Sequence, residues 1–520
     1  MASQALTRPR HDLPGPWRAH VIGWLVLAVL VALQQPGLTA ADTKHDLTVD
    51  PGGFLARALN AWTDTFTLGQ LQNQAYGYLF PQGLFFWLTD PFPAWLAQRA
   101  WWLLVLAVGY SGMLALLRRI GVRGTPAQVA GTVAFIAAPR VLTTLTAISS
   151  ETWPVMLAPW VVFALLGRPG WRAGSAAAVP VALMGAVNAT ATLAACVPGA
   201  VVLLWRPIDD AASRRRLGAT AATWAAGSVL VSLWWLVPLL VLGRYAPPFT
   251  DFIESAGVTT RWLNPAEILR GTTSWTPFVD TERRAGFALV SEPVFVVVTL
   301  AVAAAGLIGL RCARGKVRAP WLVMLACGLV MLGLGHGPLG DWWVGLLDGA
   351  LAPLRNLHKF DPLVRLPLAV GVAFLVERLA AGRGLRGLRG LAPQRVAALV
   401  LIAGLLAASA APALSGRLLP RGAYEEVPGY WPQAAAFLDG LETRTLVYPP
   451  SPFARQEWGW TRDEPVQPLA ENPWAVRDAV PLVDPEAIRG LDGLDAALRA
   501  DPGAAARALE SFGVGAVLVR

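Results

Sequence analysis

Between Asp42 and Asp50 the chain reads Asp-Thr-Lys-His-Asp-Leu-Thr-Val-Asp, which gathers three carboxylates, a lysine and a histidine into nine residues directly after the first apolar stretch. Carboxylates at that density suit general-base work on a hydroxyl, and the cations beside them suit an anionic partner. Ionisable groups at the edge of a bilayer are costly to keep dry, so their presence there asks for a function at headgroup depth. The alternative is a solvated loop start. A second gathering, Arg355-Asn356-Leu357-His358-Lys359-Phe360-Asp361-Pro362, concentrates basic groups where another apolar stretch begins. It offers charge-assisted donors to a phosphate, or else snorkels to lipid headgroups. The run Gly69 to Pro81 interleaves Gln72, Asn73, Gln74 and Tyr76 with glycines. Amides and phenol rings of this kind bond sugar hydroxyls and stack on their C–H faces, or form a polar loop packed on the protein. Glu151, in Ser149-Ser150-Glu151-Thr152-Trp153-Pro154, is a lone acid with no basic residue in its own loop, a second acid near the site or a solvated one, and Arg140 follows Pro139 just before it.

The elements that position these residues are membrane spans. The 520 residues are 55% hydrophobic and 15% charged, with mean hydropathy +0.47, whereas a soluble domain carries roughly 25% charged residues. The 23 tryptophans suit rings anchored at the water interface. The net charge of +9 does not point to nucleic acid, because the arginine excess falls in short loops between apolar stretches. Cys196, Cys312 and Cys327 lie in or beside apolar segments, without the spacing of a disulfide framework or a metal site. Spans are expected near 19–36, 98–117, 125–143, 152–167, 218–243, 288–310, 319–335, 363–381 and 394–412, with two short helices or a re-entrant pair in 174–205 turning at Asn188, about eleven in all. The first is expected to remain uncleaved.

Arginines crowd the loops 118–124, 168–173, 206–217, 311–318 and 382–395, and are missing from those near 144–151 and 188–190. The positive-inside rule therefore puts the N-terminus inside and the segments 37–97, 244–287, 336–362 and the tail from 413 outside. The expected fold is a polytopic α-helical membrane bundle over 1–412, its working face on the outer, periplasmic side of the plasma membrane. Phe54 to Trp62 has the spacing of an amphipathic surface helix, and 244–287 reads as a cover over a cavity. The segment 413–520 reads as a periplasmic α/β module, expected to be incomplete, with strands at Thr445–Tyr448 and Val514–Val519 and helices at Asp484–Leu498 and Ala504–Ser511.

Five strings together resemble the arabinofuranosyltransferase D family of mycobacteria and relatives, membrane glycosyltransferases of the GT-C class. They are Thr43-Lys44-His45-Asp46-Leu47, Gly69 to Pro81, Ser149 to Pro154, Met184-Gly185-Ala186-Val187-Asn188 and Arg355 to Pro362. The resemblance runs through the membrane region, and the family's proteins are much longer, with further carbohydrate-binding modules. It implies a GT-C bundle, a decaprenyl-phosphoryl-arabinofuranose donor, a cell-wall arabinan acceptor (arabinogalactan or lipoarabinomannan) and an α-(1→3) branch. It also implies an acidic base in the first outer loop, here Asp46, with Asp42, Asp50 and Glu151 as substitutes.

An inverting transfer needs one carboxylate to polarise the acceptor hydroxyl, and a lipid phosphate leaves as a stable anion, so cations replace the second acid that a glycosidase needs. Lys44, Arg140, Arg355, His358 and Lys359 are the residues expected at the phosphate, and Gln72, Asn73, Gln74 and Tyr76 at the sugar and acceptor. No cofactor and no metal are expected, since the cations already face the phosphate. The partners are the lipid-linked donor, the arabinan and the bilayer. Three rivals remain: a flippase or transporter of a lipid-linked sugar, a GT-C enzyme for another sugar, and a glycan-binding scaffold. Transport is disfavoured because the acids crowd the boundary rather than the midplane and no repeated half is visible.

Overall fold

The computed structural model describes residues 16–42, 44–72, 75–208, 210–246, 254–313, 315–380, 392–480 and 483–520. Thr43, Asn73 and Gln74, three residues of the strings above, lie outside the described residues.

The chain opens with α1 (Pro16–Ala32), then folds the carboxylate loop into α2 (Asp46–Val49) and α3 (Pro51–Arg57). A small hairpin pairs β1 (Trp62–Thr63) with β2 (Gln70–Leu71), antiparallel, before α4 (Gln82–Thr89) and the long α5 (Ala94–Arg119). Next come α6 (Thr125–Ile136), α7 (Pro139–Thr144), α8 (Ser149–Leu165), α9 (Trp171–Met184), α10 (Ala189–Leu204) and α11 (Ala211–Leu242). The connection after α11 contains α12 (Ala256–Thr260), α13 (Pro265–Arg270), α14 (Thr276–Val279) and α15 (Arg284–Ser291). Then follow α16 (Pro293–Cys312), α17 (Gly315–Gly333), α18 (Gly340–Asp348), α19 (Pro362–Leu379), α20 (Pro393–Ser409) and α21 (Ala411–Leu414).

Proline sits in the first turn of many of these helices, where its missing N–H is no loss. At Pro139 this chemistry divides one expected span: α6 ends at Ile136, Ala138 is extended, and α7 restarts at Pro139. The break turns Arg140 into a helix-start residue rather than a mid-span one. In the long apolar run 174–205 the chain does turn at Asn188, whose side chain caps α10 by accepting from the Ala191 N–H.

Among the described residues, four helices are long and apolar enough to cross a bilayer, within α5, α11, α16 and α17, and three shorter apolar ones accompany them. Small residues set the closest helix pair. A Cβ on Gly309 of α16 would strike the Gly371 carbonyl of α19, and one on Gly371 would strike that of Gly306. Without a hydrophobic drive between helices in lipid, such close backbone approach is what associates them. One continuous apolar core runs from α1 through α20 and takes in Leu47, Trp101, Phe135, Trp321 and Phe360.

The remaining elements are α22 (Tyr430–Asp439), β3 (Arg444–Tyr448), β4 (Trp474–Ala475), α23 (Pro485–Ala500), α24 (Pro502–Ser511) and β5 (Val514–Val519). Their sheet is parallel, in the order β4-β3-β5. This part does not stand apart from the first loop. Phe66 packs in one cluster with Trp431, Val447, Val466, Trp474 and Val476. Backbone bridges join Thr39 to Tyr424 and Phe66 to Trp474.

Candidate active site

The carboxylate loop is buried, not solvated. Asp46 opens α2 and is 0% exposed. Its Oδ1 accepts from Arg57 Nη2 at 2.8 Å and its Oδ2 from Gln467 Nε2 at 2.6 Å. An ionised carboxylate has about four lone-pair sites, so each oxygen retains capacity for another donor such as a hydroxyl. Burial, and then the nearby Asp463 charge, push the Asp46 carboxyl up, while Arg57, Lys44 and the Gln467 hydrogen bond work to lower it. That is the balance a base needs, being more proton-hungry than a free aspartate.

The other two aspartates have structural partners. Asp42 Oδ2 accepts from Trp102 Nε1 at 2.8 Å and Oδ1 from the Ser149 N–H at 2.7 Å, which ties the loop to α5 and α8. Asp50 caps α3, taking the Gly53 N–H at 2.8 Å. Lys44 Nζ donates to Asp463 Oδ1 at 2.7 Å, so this expected phosphate ligand sits among carboxylates. His45 is fully buried beside Tyr424 (Nδ1 to Oη 3.1 Å), and burial pushes its imidazole down to about 4.

The second gathering lies at the start of α19 and draws in α7 and α8. The short 3-10 turn Leu357–Phe360 buries His358, whose Nε2 lies 3.1 Å from Glu151 Oε1. Arg140, 2% exposed, forms an ion pair through Nη2 with the same Glu151 oxygen. Asn188, from the α9–α10 turn, reaches Glu151 Oε2 at 3.5 Å. The lone acid of the sequence is therefore paired through space. Several buried nitrogens around it, Arg140 Nε and Nη1, Arg283 Nε and His358 Nδ1, have no hydrogen-bond partner among the described residues. Lys359 is held down to about 8 by burial, against the pull of Glu254 and with the push of Arg140 and Arg355. Burial, then Arg140, Lys359 and Arg283, drive His358 well below its ordinary range, so at neutral pH it carries no charge. Arg355 donates from Nε to the Glu254 carbonyl at 2.9 Å and lies 3.7 Å from the Glu254 carboxylate.

Between the two gatherings runs a bridge. Arg462 Nη1 donates to the Ala147 carbonyl at 2.6 Å and Nη2 pairs with Glu282 at 2.6 Å, next to Arg283. The fully buried Tyr78 feels the charges of Asp463, Asp42, Asp46 and Arg462 together. Its 3-10 turn, Ala75–Leu79, is seated against the α9–α10 turn: a Cβ on Gly77 would lie 2.9 Å from the Val187 nitrogen. Gln72 and Tyr76 lie in this same region and are buried, so they do not form an open sugar-binding surface. Gln72 Nε2 has no partner among the described residues. No group of three or more His, Cys, Asp and Glu is arranged to hold a metal ion among the described residues.

Arg57, Arg283, Asp463 and Gln467 have no counterpart among the expected residues. Arg57 had a local signal, being seven residues after Asp50 on the expected surface helix. Asp463 and Gln467 had none, since they lie more than 400 positions from Asp46.

Residues 26–520 match the family model described as alpha-(1->3)-arabinofuranosyltransferase, N-terminal GT-C domain. The chain is 46% identical to the alpha-(1->3)-arabinofuranosyltransferase of Mycolicibacterium smegmatis over 95% of its length, and 43% identical to that of Mycobacterium tuberculosis over 96%. It spans 36% and 37% of those two relatives. The cryo-EM structure of arabinofuranosyltransferase AftD from mycobacteria superposes with a TM-score of 0.80 at 39% identity, covering 97% of this chain and 35% of that one. A multi-pass helical membrane protein with this match is identified by it: the chain belongs to the family of N-terminal GT-C domains of alpha-(1->3)-arabinofuranosyltransferases.

Proposed function

We propose that this chain carries the transfer site of a lipid-phosphate-sugar-dependent arabinofuranosyltransferase. It moves arabinofuranose from decaprenyl-phosphoryl-arabinofuranose to an α-(1→3) position on cell-wall arabinan, at the outer face of the plasma membrane. The names of the relatives support the sugar and the linkage. The observation that carries the chemistry is the contrast in bonding: a compensated carboxylate at Asp46, and a buried Arg140 with two unpartnered nitrogens.

Asp46 takes the proton of the acceptor hydroxyl as its oxygen bonds the anomeric carbon. The bond from that carbon to the phosphate oxygen breaks, and the polyprenyl phosphate leaves with the electron pair. Inversion follows from attack opposite the leaving group. Arg140 and Lys359, with Arg355 at the rim, meet the growing phosphate charge, which is electrostatic stabilisation aimed where charge develops. His358 is neutral and paired to Glu151, so it orders the cations and offers Nδ1 to a hydroxyl. Gln72 and Tyr76 act as pocket walls. Lys44 acts on the base rather than on the phosphate.

The test is transfer of radiolabelled arabinofuranose from the decaprenyl-phosphoryl donor to a short synthetic arabinan by the protein in nanodiscs, beside Asp46→Asn. Transfer by the wild type and its loss in the variant, with donor binding kept, is the expected result. Transfer by Asp46→Asn at the wild-type rate would overturn the assignment. Donor translocation without transfer by either protein would favour the transport reading.

A further inference from the structure

Apart from Arg57 of α3 and Tyr424, the polar contacts described for Lys44, His45 and Asp46 from outside their own turn come from one stretch, 461–467, more than 400 residues away in the chain. Asp463 takes the Lys44 ammonium on Oδ1 at 2.7 Å and the His45 N–H on Oδ2 at 3.1 Å. Gln467 gives its amide to Asp46 Oδ2 at 2.6 Å. Arg462, one residue before Asp463, reaches the Ala147 carbonyl just ahead of α8, the helix that bears Glu151. Tyr424 meets His45 side chain to side chain and Thr39 backbone to backbone. The stretch is itself anchored, since the Arg520 guanidinium pairs with buried Glu464. A docking surface meant only to hold two domains together has no need to place a carboxylate and an amide on the residues flanking, and forming, a buried base.

We infer that the segment 461–467 is a built part of the transfer site, in which Asp463 positions the Lys44–Asp46 turn and Gln467 fixes the Asp46 carboxylate. The inference rests on the reading of Asp46 as the base. Asp463 acts through Lys44, His45 and Asp46; it is a positioning residue.

The two residues act on Asp46 with opposite sign. The Asp463 charge disfavours ionised Asp46, whereas the Gln467 hydrogen bond favours it. The other groups that face Asp46 are Arg57 from α3 and Lys44 from its own loop, both favouring the charged form. Asp463 is faced in turn by Glu464 and Asp478, and burial, then the Glu464 and Asp463 charges, lift Asp478 to about 7.

The experiment measures kcat/KM against pH for the full chain in nanodiscs with the decaprenyl-phosphoryl-arabinofuranose donor, in the wild type, Asp463→Asn and Gln467→Ala. Asp478→Asn is included to mark any limb that belongs to Asp478. The acidic limb is expected to move down by about one pH unit in Asp463→Asn, where the freed Lys44 acts in the same direction. In Gln467→Ala it is expected to move up. Asp463→Glu is expected to restore most of kcat. Limbs that coincide with the wild type, or that move the same way in both variants, would overturn the inference while leaving Asp46 as the base. Activity in Asp46→Asn would instead remove the reading on which it rests. Gln467→Ala keeps the test decisive if Asp463→Asn does not fold.

Discussion

The two polar gatherings of this protein are built on opposite plans. Around Asp46 each carboxylate oxygen has a donor and the neighbouring Lys44 is neutralised by Asp463, while Arg57 Nε and His45 Nε2 have no hydrogen-bond partner among the described residues. Around Arg140, Glu151 serves an arginine, a histidine and an amide, the Asp361 charge also faces the guanidinium, and two of the Arg140 nitrogens, with Arg283 Nε and His358 Nδ1, have no hydrogen-bond partner among the described residues. A buried donor left unpaired costs about 1–3 kcal/mol, more when charged, so a fold keeps such groups only where something else fills them. On the proposed reading the first gathering supplies the base and the second meets the donor phosphate, and a transferase for a phosphate-activated sugar needs both.

Substitutions can break this contrast. The largest effect is expected at Arg140→Ala, which strands Glu151 in a buried site and costs about 3–5 kcal/mol of stability. Arg140→Met combined with Glu151→Gln is expected to recover most of that in thermal unfolding. It is not expected to recover affinity for the lipid-phosphate donor, which a donor-binding titration checks; full recovery of affinity would make the pair purely structural. Asp46→Asn is expected to lower kcat by about 10²- to 10⁴-fold with donor affinity nearly unchanged, as loss of a general base does. Equal loss in binding would shift Asp46 to the phosphate side.

His45 sharpens the comparison through pH. Its folded value of about 4 lies below the ordinary 6.5, so the unfolded chain binds the extra proton first. Stability is fully present above about pH 6.5 and declines as pH falls towards 4, by up to about 3 kcal/mol. Denaturation of His45→Gln beside the wild type across that window is expected to show a flatter slope; parallel slopes would place the acid sensitivity elsewhere. Asp50→Ala is the smallest change expected, about 1 kcal/mol of stability from the lost helix cap, with transfer within about twofold of wild type. A transfer assay on that variant separates the capping aspartate from the proposed base.

The residues of both gatherings were visible as types and spacings, because ionisable side chains beside apolar stretches stand out against composition. Their pairings were not. Glu151 has no basic neighbour in its own loop, yet Arg140 reaches it from the start of α7 across the turn that leads into α8, and His358 from a turn 207 positions on. Gln72 and Tyr76 read equally as a sugar-binding surface or a polar loop packed on the protein, because nothing in a run of amides and tyrosines reveals that the turn at Gly77 presses it against Val187. The tail read as a module by itself, since strand and helix patterns are local. Its contacts with the first loop depend on segments that lie hundreds of residues apart in the chain.

By itself the sequence determined where the apolar stretches lie, where Asn188 turns one of them, and which loops hold the ionisable groups. Periodicity, helix breaking and the cost of charge in lipid all act over a few residues. The tertiary structure alone decided which aspartate is compensated by Arg57 and Gln467, which caps a helix and which ties two helices together. It also decided that Arg140 keeps two buried nitrogens without a hydrogen-bond partner among the described residues. Hydrogen bonding and charge balance in a buried site depend on distances of about 3 Å between side chains brought together by packing, and those distances have no local signature in the chain.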